Sequence, residues 1–220
     1  MLTVAVCTYN RASSLRELIT ELRMQECPVP FEILVVDNNS SDNTAEAVRE
    51  FDGLRAPIVR YVKEERQGIV YARNCAIDNS KDSKYLAFID DDELPCPGWL
   101  NAAVDALERE GADCTGGEIR VRLSVMKQPK WLEGELFGFL GKLKHGDASF
   151  WITDSSTPVW SGNIAYKTSI FSNGLRFDVR YNRAGNGIGG GSDAIMFRTL
   201  LECGAKIRYR HDMVIEHIVD

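Results

Sequence analysis

Four acids stand side by side at Asp90, Asp91, Asp92 and Glu93, after the strand-like run Tyr85–Ile89 and before the turn Pro95-Cys96-Pro97-Gly98. Adjacent carboxylates repel, so a cluster at the end of a buried strand calls for a positive charge among them. On an extended chain Asp90 and Asp92 face the same way, with α-carbons roughly 7 Å apart. Hard cations such as Mn2+ and Mg2+ take oxygen ligands at about 2.1 Å, so one ion rarely joins two rigid carboxylates across that gap. The spacing predicts an ion on one aspartate, while the other holds a ribose hydroxyl or a water and diphosphate oxygens complete the shell. The competing explanation is a solvated acidic turn. Exit from a buried strand of a parallel sheet favours the ligand site.

Asp37 repeats the arrangement at the end of Phe31–Asp37. Ser40, Ser41 and Asp42 lie nearer the next helix and suit its cap, which leaves Asp37 to accept hydrogen bonds from a base or ribose. Arg73 follows Gly68 on a predicted helix, and its planar guanidinium suits a diphosphate. An exposed salt bridge is the alternative for Arg73.

These groups need a frame. Apolar, β-rich runs at Leu2–Tyr9, Phe31–Asp37, Pro57–Glu64, Lys84–Asp90 and Asp113–Val121 read as strands. Between them, 10–25, 38–51, 67–80 and a stretch from Pro97 to about Glu110 read as helices. This alternation predicts an α/β fold: a mostly parallel, Rossmann-like sheet flanked by helices, with right-handed crossovers. Ligands bind such sheets beyond the carboxyl ends of the strands. Thr8-Tyr9-Asn10, Asp37-Asn38-Asn39 and Asp90-Asp91-Asp92 should therefore gather along one edge. Residues 126–160 are rich in aromatics, Gly and Lys without a period, and read as an excursion over the cleft. A strand and short helix over 159–171 follow, then a glycine-rich loop, a helix and a strand over 182–209.

The chain has 220 residues, 44% hydrophobic and 26% charged, ordinary for a globular domain with room for one good-sized core. A net charge of −6 argues against nucleic acid as a partner. The six cysteines have no ligand spacing; Cys7 and Cys75, in apolar surroundings, are expected as small core residues, which fits a reducing cytoplasm. A strand starting straight after Met1 leaves no visible signal peptide, and no apolar run nears the roughly 20 residues that span a bilayer. The end at Glu216-His217-Ile218-Val219-Asp220, just after an apparent strand, is expected of the catalytic part of a longer protein.

The runs "VAVCTYNR", "FEILVVDNNSSDNT", "QGIVYARNCAI" and "YLAFIDDDELPCPGWL" resemble the successive blocks of family-2 glycosyltransferases of the GT-A fold. The resemblance covers about the first 100 residues and implies an inverting transfer of a sugar from a UDP- or GDP-type donor, with Mn2+ or Mg2+. It carries the nucleobase contacts onto Thr8 and Asp37 and the diphosphate contact onto Arg73. The Asp-x-Asp signature falls on Asp90 and Asp92, with Asp92 on the metal; Tyr9, Asn10, Asn39 and Asp91 complete the nucleotide-sugar set. Further on the resemblance is looser. "WSGNIAYKTSIF" is similar to an acceptor-side strand, which implies Gly162 and Asn163 near the transferred sugar; Trp160, immediately before Ser161-Gly162-Asn163, is the tryptophan expected to stack on sugar or lipid. "GGGSDAIMFRTLLECGAKI" resembles the block that supplies the catalytic base, here Asp193. Ser192 replaces the usual Glu and Ile195 a second acid, and capping of the helix expected to start near Ala194 is the other role open to Asp193. His217 matches a position near the metal, with a buried structural histidine as the alternative.

The expected organisation is one catalytic domain over 1–220, with a nucleotide-sugar half at 1–125 and an acceptor half at 126–220. Family members often act on carbohydrate or lipid-linked acceptors at the inner face of the cytoplasmic membrane, so peripheral attachment is a further expectation. Specificity would lie between about Lys127 and Pro158, where Trp131 and Trp151 more simply pack the loop down. Two rival classes remain: a metal-dependent nucleotidyltransferase, whose basic Gly-rich loop is missing from "CTYNRASSL", and an inactive glycosyltransferase-like binding domain. The glycine-dense run Gly185–Gly191 does not follow a first strand, which argues against a dinucleotide-binding dehydrogenase.

Overall fold

The computed structural model describes residues 1–124, 134–183 and 191–219. Strand β1 (Leu2–Thr8), helix α1 (Ala12–Arg23), strand β2 (Phe31–Asp37), helix α2 (Thr44–Arg49), strand β3 (Val59–Lys63), helix α3 (Ile69–Asp78) and strand β4 (Tyr85–Asp90) alternate through the first part of the chain. Strand β5 (Glu93–Pro95), helix α4 (Trp99–Glu108) and strand β6 (Cys114–Leu123) follow. The remainder holds β7 (Phe150–Ile152), β8 (Ile164–Lys167), α5 (Ser192–Glu202) and β9 (Ile207–Val219).

Among the described residues nine strands form one sheet, in the order β3-β2-β1-β4-β8-β6-β9-β5, with β7 also on β9. β1, β2, β3 and β4 pair in parallel, as do β6 and β9. β8 runs against β4 and β6, while β5 and β7 run against β9. The mostly parallel sheet and the smaller mixed region both match the sequence reading. Every residue of β1 is buried, and helix α1 covers the sheet with Leu15, Leu18, Ile19 and Leu22, the apolar face its spacing predicts. The register sets Thr8 level with Asp37 and Cys7 level with Asp90, so the loops after β1, β2 and β4 leave the sheet along one edge.

The short strands β5 and β7 escape a reading by periodicity, because three residues carry no period. The described part of the excursion lies along the second half of the sheet: a 3-10 helix at Gly134–Leu140, a bridge between Ile119 and Leu143, and β7 on β9. Trp151 is half exposed beneath the Arg208 guanidinium, 5.0 Å from its ring. Trp131 and residues 185–190 of the glycine-dense run lie outside the described residues. No described helix is long and apolar enough to cross a membrane.

Asn163 corrects the sequence reading. Expected beside the sugar, it is 1% exposed and ties three elements together. Its Oδ1 accepts from Trp99 Nε1 at 2.7 Å, and its Nδ2 donates to the carbonyls of Glu118 at 2.9 Å and Met213 at 2.8 Å. Both amide hydrogens are used, so no donor remains for a ligand. Asn163→Ala would strand three buried partners and should cost on the order of 3 kcal/mol, read as a lower urea midpoint.

Candidate active site

A cleft of about 570 Å³ opens where β1, β2 and β4 end. Thr8, Asn38, Gly68, Arg73, Asp91 and Asp193 line it. A smaller cleft of about 310 Å³ adjoins it, sharing Arg11 and Asp91 and reaching Asp92 and Glu93.

Arg73 is the cationic centre. Helix α3 holds it 5% exposed, with Nη1 donating to Asp193 Oδ1 at 2.8 Å and Nη2 at 3.5 Å from Asp90 Oδ1. Burial works against its charge, but Asp193 and Asp90 more than offset that and keep it protonated. The Arg73 found here is thus not an exposed salt bridge. Two of the five N–H donors of its guanidinium face carboxylates while the residue lines the cleft. Helix α5 begins at Ser192 after Gly191, with no side-chain cap, so capping does not account for Asp193. Its Oδ1 also accepts from Ser161 Oγ, and no described residue bonds to Oδ2.

The acids differ in environment. Loss of solvent pushes Asp90 above the ordinary carboxylate range; Arg73 pulls it back, and Asp193 and Asp92 push it up. Burial raises Asp91 to about 6. Burial would raise Asp92 as well, but His217 and Arg11 outweigh it and hold Asp92 low. Its Oδ1 lies 3.7 Å from His217 Nε2 and its Oδ2 3.6 Å from Arg11 Nη2. His217 Nδ1 is 2.8 Å from the Leu140 carbonyl, which can only accept, so the proton sits on Nδ1. In the neutral ring Nε2 then presents its lone pair toward Asp92.

That donor set fits a divalent ion. A histidine oriented by a carbonyl on its far nitrogen, with a carboxylate across from it, is the arrangement that holds transition metals. Among the described residues no group of three or more His, Cys, Asp or Glu stands ready to hold a metal. One carboxylate and one imidazole with substrate oxygens suffice for Mn2+, whereas Mg2+ would rest on Asp92 and oxygens alone.

The nucleotide-side residues divide. Thr8 Oγ1 is buried near Asp91 without a well-formed hydrogen bond, an open donor on the cleft wall. Tyr9 is 45% exposed at the rim. Asn10, Asp37 and Asn39 share the edge expected of them but do not line the cleft. Asn10 Oδ1 accepts from Ser41 N at 2.8 Å and so ties two loops together. Asp37 is not free, since its oxygens accept from Ser40 N at 2.8 Å and Tyr61 Oη at 2.7 Å. Asn39 is exposed with φ +64°. Asn38 lines the cleft instead, its Oδ1 accepting from Gly68 N at 2.6 Å.

Of the residues expected near the acceptor, Trp160 is partly buried against the core and does not line the cleft. Gly162 packs against the Glu93 carboxyl, where a Cβ would stand 2.7 Å from Oε2. The sequence reading assigned no role to Arg11, Ser161, Glu93, Tyr181 or Arg183. Arg11 and Ser161 adjoin quoted motifs and Glu93 ends the acid run, so those three had a signal. Tyr181 and Arg183 reach the cleft from an irregular segment latched by Asn182, whose Nδ2 donates to the Gln67 carbonyl at 3.1 Å. A Cβ at Gly68 (φ +129°) would overlap the Asn182 amide, so the latch requires glycine there.

The model of "Glycosyl transferase family 2" matches residues 3–175, and the chain belongs to that family. The glycosyltransferase AglE of Haloferax volcanii is 33% identical over 118 residues, 53% of this chain and 38% of AglE. The S. aureus TarS structure (residues 1–349) with UDP-GlcNAc superposes with a TM-score of 0.73 at 18% identity, covering 100% of this chain and 58% of that one. The mannosyltransferase PcManGT of Pyrobaculum calidifontis, with GDP-Man and Mn2+, gives a TM-score of 0.68 at 21% identity, covering 98% of this chain and 56% of that one. These likenesses give the GT-A fold. The chain spans well under two thirds of the length of each of these relatives.

The Asp92–His217 pair makes a pH prediction. His217 is raised, chiefly by Asp92, so its stabilisation is full below its ordinary 6.5 and fades as pH rises through the raised value. Asp92 is lowered, so its share is present above the ordinary 3.8 and fades as pH falls through the lowered value. The metal-free pair therefore contributes fully between those two ordinary values. By NMR His217 should titrate above 6.5 in metal-free protein, and Asp92→Asn should lower that midpoint.

Proposed function

We propose that the chain moves a sugar from a nucleoside-diphosphate donor of UDP or GDP type to an acceptor hydroxyl, inverting the anomeric carbon. The observation that carries this reading is the shared edge of the clefts. Asp92 faces His217 Nε2 at 3.7 Å on one side, and Arg73 holds Asp193 at 2.8 Å on the other. Family membership and the donors bound by TarS and PcManGT support the substrate class.

Asp92 and His217 would hold Mn2+, or Asp92 alone Mg2+. A bound divalent ion supplies Lewis-acid stabilisation of the departing diphosphate. Thr8 and Asp91 would hold the nucleotide, and Arg73 adds a fixed positive charge beside the cleft. Ser161 and Arg73 both engage Oδ1 of Asp193, which turns Oδ2 to the acceptor. As the acceptor oxygen bonds to the anomeric carbon, its proton passes to Oδ2 of Asp193. The bond from that carbon to the phosphate oxygen breaks, and its electron pair leaves with the diphosphate. One displacement with one base inverts the centre. The acceptor is a carbohydrate or lipid-linked hydroxyl, and a lipid-linked one would bring the chain to a membrane surface.

Asp193→Asn should leave donor binding intact by calorimetry and cut transfer by about 10²–10⁴-fold. Near-normal turnover would remove Asp193 as the base. Asp92→Ala should abolish the Mn2+ dependence of UDP or GDP binding.

A further inference from the structure

The fourth acid of the run, Glu93, has no task in the transfer proposed above, yet it is only 5% exposed. No cation pairs with it among the described residues, and an unpaired carboxyl is a costly group to bury for packing alone. Its Oε2 accepts the backbone N–H of Asp90 at 2.9 Å, closing the acid turn from the inside. The same residue opens β5, where it sits in register with His217 on β9. One step away, the Asp92 carbonyl accepts from Ile218 N at 2.8 Å. On its other side the carboxyl lies against Gly162, and a Cβ there would come 2.7 Å from Oε2, closer than real Cβ contacts allow. Glycine at 162 admits Glu93 to its place.

We propose that Glu93 is a positioning residue: seated on Gly162 and holding the Asp90 amide, it fixes the turn that brings Asp92 Oδ1 to His217 Nε2. The inference rests on the reading that Asp92 and His217 hold a divalent ion. Nothing in Glu93 needs to touch the ion or the donor. Its effect passes through the backbone of Asp90–Asp92 and the first pair of the β5–β9 ladder. Removing a group that orients a metal ligand typically weakens metal binding by about 10–100-fold.

The test is Mn2+ affinity, measured by the EPR signal of free Mn2+ alone and with UDP or GDP, alongside thermal midpoints that establish folding. Glu93→Ala should weaken Mn2+ binding by about 10–100-fold, whereas Glu93→Gln, which keeps an oxygen for the Asp90 amide, should stay close to the unaltered protein. Gly162→Ala should reproduce the Glu93→Ala loss without changing any acid. In the double variant the added methyl enters the space the carboxyl has left, so the losses should not add. If Gly162→Ala does not fold, the alanine and glutamine variants at 93 decide alone. Unchanged Mn2+ affinity in Glu93→Ala, or a Glu93→Gln as weak as Glu93→Ala, would overturn the positioning role. Asp92→Ala that binds Mn2+ as well as the unaltered protein would overturn the metal site itself and the inference with it.

Discussion

Carboxylates gathered at strand ends can share one edge only if positive charge is built in among them. Arg73 meets that condition from inside the protein, buried between Asp90 and Asp193. Because its guanidinium is planar and permanently charged, it can serve two acids at once and still line the cleft. Arg11 and His217 meet the same condition for Asp92 from opposite sides. The result is a divided acidic edge. Asp193 is oriented through one oxygen, Asp91 is shifted up to about 6, and Asp92 is kept low beside a histidine nitrogen.

The sheet makes that division durable. Parallel register brings the ends of β1, β2 and β4 level, and β9 carries His217 to the same edge from the far end of the chain. The irregular parts are tied down by a few buried amides. Asn38 holds Gly68, Asn182 latches its segment to Gln67, and Asn163 joins Trp99 to the carbonyls of Glu118 and Met213. Each uses side-chain hydrogen bonds where no ladder exists, which rigidifies loops that a cleft otherwise leaves loose.

The legible part of this design was the local part. Continuous apolar runs gave β1, β2 and β4, helical spacing gave α1, and the acids at Asp90–Asp92 marked the sheet edge where the cleft opens. Residues joined across long stretches of sequence were not legible. Arg73 meets Asp193 across 120 positions, and no local pattern reveals that an arginine suited to phosphate is held by a distant carboxylate. Asn163 misled for the same reason, and Asp37 in part, since Tyr61 reaches it from β3 while Ser40 lies only three residues on. The Gly162-Asn163 pair reads as an acceptor motif, yet one residue makes room for Glu93 and the other knots the core. The β5 strand is three residues long and leaves no periodic trace, although it pairs Glu93 with His217.

The central question is where a divalent cation and a nucleoside diphosphate settle together. Anomalous diffraction from a crystal soaked with Mn2+ and UDP or GDP answers it most directly. If the carboxylate of Asp92 and Nε2 of His217 share the ion, one anomalous peak lies between them, with the diphosphate running along the Thr8–Asp91 wall. A peak elsewhere, or an Asp92 side chain turned to solvent with the nucleotide bound, would contradict it.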